Sequence, residues 1–262
     1  MELDQFKTVA LAAAYRGGAY IRQRLDSVRE IRHKGEIDLV TEVDLGSEKR
    51  IIEVIRASFP DHAILSEERG LLEGASDHQW IIDPLDGTTN FAHGLTTCCV
   101  SIALTKMGQS LIGLIYCPFT DELFSAVRGA GAFLNGRRLS VSTIGRVRDS
   151  LLVTGFPYNL KEILPSVMQR FTNCLVSSQG IRRLGSAALD LAYVAAGRFE
   201  AFWEEHLHPW DVAAGHLIVQ EAGGHVTNFA NQPFKTEMQS ILASNGQIHN
   251  EMLKLLTLKG IG

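Results

Sequence analysis

Residues 80–91 have the sequence WIIDPLDGTTNF and join an apolar segment to two acidic residues and a turn. The apolar residues predict a buried strand that delivers Asp83 at its end, and Pro84 is expected to stop the strand from pairing further. Asp86 follows shortly after Asp83 and directly precedes Gly87. The sequence therefore predicts two carboxylates and a chain reversal in one corner of the fold.

This corner has the composition of a cation site. Carboxylates held close together repel each other unless one is protonated or a cation neutralises them. Hard oxygen ligands favour Mg²⁺, with Mn²⁺ as its substitute. If Gly87, Thr88 and Thr89 enter a helical turn, their free amides form an anion site beside the cation, which indicates phosphoryl chemistry. The alternative is that Asp-Pro-x-Asp-Gly is only a turn, since these residue types are common in turns.

The chain before and after this corner is predicted to form an antiparallel sheet covered by two helices. Apolar residues recur at helical spacing in residues 6–20 and 51–59. Thr41 and Asp44 resemble a capping box, which places Asp44 in the first turn of the second helix. Short β-rich runs predict strands at residues 63–66, 79–82, 98–106, 111–117, 122–127 and 133–141.

Beyond about residue 148 the pattern changes to strands that alternate with helices. The predicted strands are residues 151–154, 181–184 and 200–203, and the predicted helices are residues 165–176, 186–196 and 211–222. No polar linker marks the change, so we expect one compact unit over residues 1–262, with subdomains at about 1–148 and 149–262. The expected fold is of the α+β to α/β class, a layered α-β-α-β-α sandwich with an antiparallel amino-terminal sheet and a mixed carboxy-terminal part.

The composition excludes several other classes of protein. The chain has 262 residues, of which 45% are hydrophobic and 21% charged, as in globular enzymes and unlike disordered chains. Its net charge of −4 gives no footprint for direct nucleic-acid binding, and no apolar run is long enough to span a membrane. Glu2 and Asp4 are unlike a signal peptide, so we expect a cytoplasmic protein. The four cysteines lack zinc-site spacing and are expected to be reduced thiols: Cys98, Cys99, Cys117 and Cys174.

Further acidic positions connect the corner to a known family. Asp44, Glu67 and Asp211 stand at the ends of predicted elements, where a single acid is more often a cap or a surface charge. Taken together, the motifs resemble the inositol monophosphatase family. The blocks that carry the resemblance are DLVTEVD at 38–44, SEE at 66–68, WIIDPLDGTTNF at 80–91, GSAA at 185–188, WDVAAG at 210–215 and EAGG at 221–224. They follow the family order and span essentially the whole chain.

The resemblance implies a Mg²⁺-dependent, lithium-sensitive phosphomonoesterase that hydrolyses inositol monophosphate with a metal-activated water. It implies two to three Mg²⁺ ions: the first held by Glu67, Asp83 and the carbonyl of Leu85, the second by Asp83, Asp86 and Asp211, and a third, weaker one near Glu67. Glu67, Asp44 and Thr88 form the implied catalytic set, in which the last two orient and deprotonate the water. The implied substrate contacts are Gly87, Thr88, Thr89, Gly185, Ser186, Ala187, Glu204 and Lys34, with Glu204 bound to a polyol hydroxyl.

Several alternatives stay open at this point. The same chemistry could act on fructose 1,6-bisphosphate, 3′-phosphoadenosine 5′-phosphate or histidinol phosphate. A phosphatase that forms an aspartyl phosphate is a different class, but its nucleophile and acid are two residues apart, whereas Asp83 and Asp86 are three apart. The resemblance also implies a homodimer and, among bacterial members, an association with RNA polymerase.

Overall fold

The chain begins with two helices that cover one face of a sheet. The structure, a computed structural model, describes residues 2–25, 31–33, 39–157 and 159–258. Helix α1 (Glu2–Arg22) and helix α2 (Glu42–Ser58) flank a short antiparallel pair, β1 (Ile31–His33) and β2 (Leu39–Thr41). Both predicted helices are confirmed, and their apolar faces pack together over the sheet that follows. Lys34 lies outside the described residues.

An eight-stranded sheet forms the first half of the core. Its strands are β3 (Ala63–Ser66), β4 (Gly70–Leu72), β5 (His78–Asp86), β6 (Cys99–Lys106), β7 (Gln109–Cys117), β8 (Glu122–Val127), β9 (Gly131–Leu134) and β10 (Arg137–Arg138). They lie in the order β10-β9-β8-β7-β6-β5-β3-β4. The prediction of a purely antiparallel sheet is wrong in one place, because β3 pairs with β5 in parallel. The predicted strand 133–141 is instead a tight hairpin turned by Asn135 and Gly136, both with positive φ.

Pro84 does not end its strand, contrary to the expectation. Strand β5 pairs with β6 through Asp83↔Ser101 and again through Asp86↔Cys99, with a shift of register between them. This shift is a β-bulge, and a bulge tolerates proline because the bulged residue donates no ladder hydrogen bond. The bulge keeps Asp83 and Asp86 on one strand while it turns the chain between them.

The second half of the chain forms a five-stranded mixed sheet. Its strands are β11 (Leu151–Thr154), β12 (Gly180–Arg182), β13 (Ala201–Glu205), β14 (His225–Thr227) and β15 (Ser240–Ser244), in the order β12-β11-β13-β15-β14. Its helices are α4 (Leu160–Ser177), α5 (Ala187–Ala195), α6 (Pro209–Val212), α7 (Gly215–Glu221) and α8 (His249–Leu256), while α3 (Thr88–Ala92) belongs to the first half. Strands β14 and β15 and helix α8 were not predicted.

Two helix boundaries differ from the prediction. Helix α4 begins five residues before Pro165 and contains it, although the proline was expected to start the helix. The predicted helix 211–222 is two helices, α6 and α7, with Ala213 and Ala214 between them. Asp211 is therefore the third residue of α6 rather than the first residue of a long helix.

The two sheets and their helices form the expected five layers. Helices α1 and α2 lie on β5, β6 and β7, helices α5 to α7 lie between the two sheets, and α4 and α8 cover the far face of the second sheet. This arrangement confirms the α-β-α-β-α architecture. The division into subdomains near residue 148 stays a prediction. Among the described helices, none combines the length and the apolar character needed to cross a membrane.

Candidate active site

Two parallel strands bring the first pair of predicted ligands together. Strands β3 and β5 run side by side, with Ser66 opposite Ile82, and the amide of Glu67 donates to the carbonyl of Ile82 at 3.2 Å. Glu67 and Asp83 therefore directly follow the last parallel pair of β3 and β5, at the carboxyl end of their shared pairing. Such ends are a common place for ligand sites in α/β proteins.

Asp83 is enclosed among other carboxylates. Its side chain is buried, and its Oδ1 accepts a hydrogen bond from the amide of Leu85 at 3.0 Å. Burial raises the pKa of Asp83 well above its ordinary value. Repulsion from three neighbouring carboxylates raises this pKa further; they are, from the largest effect, Glu67, Asp86 and Asp211. This corner of the molecule therefore attracts either protons or a cation.

Asp86 is held by the start of helix α5. Its Oδ2 accepts hydrogen bonds from the Ser186 hydroxyl and the Ala188 amide, each at 2.7 Å. Burial raises the pKa of Asp86 to about 6, although these hydrogen bonds act in the opposite direction. Ser186, a predicted substrate contact, thus also orients Asp86 and joins the two halves of the fold.

Asp211 approaches the corner from helix α6. Its Oδ2 accepts from the amide of His208 at 2.7 Å, which fixes the side chain at the start of the helix. Enclosure in the site raises the pKa of Asp211 well above its ordinary value, and Asp86 is the leading charge that adds to this effect. Asp211 is thus directed at the same cluster as Asp83, from an element far away in the sequence.

A buried pair stands beside the carboxylates. The Thr88 hydroxyl lies 2.7 Å from Asp44 Oδ1 and 3.0 Å from the carbonyl oxygen of Leu85. A hydroxyl has one proton to donate, so Thr88 donates to one of these acceptors at a time and keeps its lone pairs free to accept. Asp44 sits in the first turn of α2, as predicted, and is fully buried.

Helix α2 also anchors the segments that carry the carboxylates. The Ser47 hydroxyl donates to the carbonyl of Pro84 at 2.8 Å. The buried carboxylate of Glu48 accepts from the Ser66 hydroxyl at 2.6 Å, from the Arg69 amide at 3.1 Å and from Arg69 Nε at 2.9 Å. One face of α2 thus holds the residues on both sides of Glu67, and it also holds the β-bulge at Pro84. Sequence reasoning did not identify Glu48, because its partners are distant in the sequence.

The carboxylates open into a pocket of about 370 Å³ between the two sheets. The predicted site residues that line it are Glu67, Asp83, Leu85, Asp86, Gly87, Thr88, Thr89, Gly185, Ser186, Ala187, Glu204 and Asp211. Asp44 reaches the pocket through Thr88. Asn90, which was not singled out from the sequence, holds the pocket wall together by donating to the carbonyls of Thr97 at 2.8 Å and Leu184 at 2.7 Å.

Glu204 lines the same pocket from the second sheet. It is buried on β13, and burial raises its pKa to about 8. A Cβ atom on Gly155 would collide with the Glu204 carboxyl, so Gly155 is the residue that leaves room for it. The structure adds further lining residues that the sequence did not single out: Gly155, Phe156, Pro157, Asp190 and Leu207.

The donor set fits a divalent cation. The enclosed oxygens carry more negative charge than their surroundings compensate, as the raised pKa values of Asp83, Asp86 and Asp211 indicate. Hard carboxylate and carbonyl oxygens are the ligands that Mg²⁺ prefers. Within the described ranges, no three His, Cys, Asp or Glu side chains already form a metal cluster. The fit therefore rests on charge and ligand type.

Comparison with known proteins identifies the family. The model of the inositol monophosphatase family matches residues 2–258. An inositol-1-monophosphatase from Synechocystis is 45% identical over 258 residues, which cover 97% of this chain and 90% of the relative. A Nus factor SuhB from Haemophilus influenzae is 45% identical over 255 residues, which cover 96% and 95%. The crystal structure of an extragenic suppressor protein SuhB from Bartonella henselae matches with a TM-score of 0.93 and 41% identity, covering 97% of this chain and 99% of that one.

Proposed function

The chain belongs to the inositol monophosphatase family, and from that premise we propose that it is a Mg²⁺-dependent phosphomonoesterase that hydrolyses inositol monophosphate to inositol and phosphate. The observation that carries the proposal is the 2.7 Å hydrogen bond between Thr88 and Asp44, beside the buried carboxylates of Asp83 and Asp86. A hydroxyl that is hydrogen-bonded to a carboxylate base, next to a cation site, can orient and deprotonate a water that attacks a phosphate ester.

The acidic corner is proposed to hold the metal ions. Glu67, Asp83 and the Leu85 carbonyl would bind one Mg²⁺, and Asp83, Asp86 and Asp211 a second, with Mn²⁺ as a substitute and a third, weaker ion near Glu67. When bound, Mg²⁺ would supply Lewis-acid chemistry that offsets the charge of the phosphate and acidifies a water. The high negative charge of this corner supports the assignment, because burying it without a cation raises the pKa of its carboxyls.

The Asp44–Thr88 pair is proposed to move the proton of the attacking water. While the Thr88 hydroxyl donates to Asp44, its oxygen can accept a hydrogen bond from a water in the pocket. The water proton then passes to Thr88 as the Thr88 proton passes to Asp44. The carboxylate is the final acceptor, and Thr88 sets the direction of the attack.

The rest of the pocket is proposed to bind the two ends of the substrate. The amides of Gly87, Thr88 and Thr89 would hold the phosphate, since first-turn amides have no partner within their helix. Glu204 would bind a hydroxyl of the leaving group, with the segment Gly185 to Ala187 against the ring. The charged residues around Glu204 in the pocket are Asp190, which is acidic, and Arg183, which is basic. The two buried carboxyls favour a polyol hydroxyl over a second phosphate, because an anion would be repelled by both of them.

The test is Mg²⁺-dependent release of phosphate from inositol 1-phosphate, fructose 1,6-bisphosphate, 3′-phosphoadenosine 5′-phosphate and histidinol phosphate. We expect kcat/KM to be at least about tenfold higher for inositol 1-phosphate than for the others. Asp83→Asn should abolish turnover, while Asp61→Asn, a change of the same kind at an exposed position, should not. A preference for another substrate would keep the chemistry and overturn the substrate, and no hydrolysis would overturn the function.

A second candidate function follows from relatives named Nus factor SuhB, one of them 45% identical to this chain. Such a name supports a non-catalytic role as a partner of the transcription machinery, which could coexist with the phosphatase. Binding of the purified chain to purified RNA polymerase would support this role, and binding no stronger than that of an unrelated protein would remove it.

A further inference from the structure

Asp190 lines the pocket and has an unusual hydrogen-bonding state for a buried side chain. It lies in the first turn of α5, and its side chain is only 1% exposed. Neither of its carboxyl oxygens has a hydrogen-bond partner, and no other described side chain has two buried oxygens in this state. Buried polar groups without partners destabilise a fold, so each needs an explanation such as a bound ligand or a functional role.

The surroundings of Asp190 do not offer it a protein partner. Helix α5 packs on β13, which carries Glu204, and Asp190 and Glu204 both line the pocket. Glu204 and Asp86 repel the charge of Asp190, and Arg183 at the pocket rim attracts it. The guanidinium of Arg183 acts likewise on Glu204 and stacks over Phe156 at 5.9 Å. One exposed cation thus faces two buried carboxyls that make no hydrogen bond with each other.

A hydroxyl group is the ligand that suits this arrangement. It can donate a hydrogen bond to one carboxyl and accept one from another, whereas an anion would meet repulsion from both. Burial raises the pKa of Asp190 well above its ordinary value, and a neutral carboxyl donates as well as accepts. The two carboxyls therefore provide complementary positions for adjacent hydroxyls of a ring.

We propose that Asp190 is a specificity-determining residue that binds a hydroxyl of the polyol leaving group together with Glu204. This inference rests on the proposed polyol phosphatase function and deepens it. Asp190 is kept without a partner in the free protein because the substrate provides the partner. The unpaired carboxyl lowers the stability of the free protein but increases substrate selectivity. A substrate that lacks the hydroxyl binds less well because it leaves the buried carboxyl unpaired.

The experiment compares inositol 1-phosphate with p-nitrophenyl phosphate, whose leaving group has no polyol hydroxyls. For Asp190→Leu we expect KM for inositol 1-phosphate to rise about tenfold or more, and kcat/KM for p-nitrophenyl phosphate to stay within about twofold. Asp190→Asn should keep most of the preference, because an amide also donates and accepts. Asp190→Leu should also raise the melting temperature of the free protein, because it removes an unpaired buried carboxyl.

The matched control is Asp149→Leu, the same chemical change at an aspartate whose side chain is 47% exposed, and it should leave the substrate preference unchanged. Equal losses on both substrates for Asp190→Leu, or a lowered melting temperature with an unchanged preference, would overturn the proposal and make Asp190 structural. Failure of the proposed function is distinguishable, because the wild-type protein itself would then show no preference for inositol 1-phosphate.

Discussion

Helices α2 and α5 each bury an acidic side chain near the pocket, and the two side chains have opposite surroundings. Glu48 on α2 accepts three hydrogen bonds, from the Ser66 hydroxyl and from two nitrogens of Arg69. Asp190 on α5 accepts none. A carboxylate whose oxygens are satisfied by the protein holds the chain in place, whereas one that is not satisfied is available to a ligand.

The difference has a cause in what each helix faces. Helix α2 faces the strand ends of the first sheet, where the hydroxyl of Ser66 and the backbone amide and side chain of Arg69 are within reach of Glu48. Helix α5 faces the second sheet and the carboxyls of Glu204 and Asp86. The acidic side chain on α2 is thus satisfied by protein groups, whereas the one on α5 is left with an unmet capacity for hydrogen bonds.

Among changes on the two helices, Asp44→Asn on α2 is expected to have the largest effect. Asparagine can still accept the hydrogen bond from Thr88, but it cannot take up a proton, so kcat should fall about 10²-fold to 10⁴-fold with little loss of stability. Steady-state phosphate release and thermal melting measure both quantities. Asp61→Asn should behave as wild type, and an Asp44→Asn variant within about threefold of wild type would refute the proton path.

Glu48→Gln tests the positioning role of α2. The change removes the charge that binds Arg69 and one of the acceptor oxygens, so the segment with Glu67 should be less well fixed. We expect Mg²⁺ affinity, measured by calorimetry without substrate, to fall about tenfold or more, with a smaller effect on kcat at saturating Mg²⁺. Glu53→Gln on the exposed side of α2 is the control. Equal Mg²⁺ affinities for both variants would remove the positioning role.

Gly155→Ala tests the side of the pocket that binds the leaving group. The added methyl group would collide with the Glu204 carboxyl, and the end of this side chain can move aside, so we expect KM for inositol 1-phosphate to rise about threefold to tenfold. The melting temperature should change little. Gly145→Ala is the matched control, since a Cβ there meets no heavy atom within 4 Å. Unchanged KM for Gly155→Ala would mean that Glu204 does not contact the substrate.

The smallest effect is a pH dependence of stability. The pKa of Asp86 is about 6 in the folded protein, above the value of about 4 in an unfolded chain. The folded state then binds more protons than the unfolded state, so this contribution to stability is present below about pH 4 and is lost as the pH rises through about 6. Mg²⁺ should oppose the loss, and the melting temperature with Mg²⁺ minus that with EDTA should grow between about pH 5 and 8.

Burial lowers the pKa values of His216 and His249 to about 4. Subtracting the melting temperature with EDTA from that with Mg²⁺ cancels the contribution of these two histidines. These histidines act with the opposite sign, since they stabilise the fold above about pH 6.5 and lose that contribution as the pH falls. A difference that stays constant with pH would contradict the assignment of Asp86 to the cation site.

The sequence predicted what depends on local pattern. The helix that begins before Asp44, the turn at Gly87 and the helix at about residues 186–196 all follow from local sequence pattern, and the structure has them. The bulge at Pro84 depends on pairing with β6, and the parallel alignment of β3 and β5 depends on the path of the whole sheet. Neither the bulge nor the parallel alignment leaves a local signal in the sequence.

The residues of the candidate site also divide into those that the sequence predicted and those that only the fold reveals. Glu67, Asp83, Asp86 and Asp211 on the motif blocks were found from the sequence and line one pocket, which Asp44 reaches through Thr88. Glu48 and Asp190 were not found, because a glutamate or an aspartate within a helix is ordinarily exposed, and only the packed fold makes these two buried. Their roles depend on contacts with partners that are distant in the chain.

The enclosed carboxylates are proposed to form a divalent cation centre around Asp83. Electron paramagnetic resonance of Mn²⁺ counts the ions that bind to the protein without any substrate present. We predict about two tightly bound ions per chain for the wild-type protein and a loss of this binding in Asp83→Asn, with the fold retained by circular dichroism. Wild-type protein that binds no Mn²⁺, or an Asp83→Asn variant that binds as many ions as tightly, would contradict the claim.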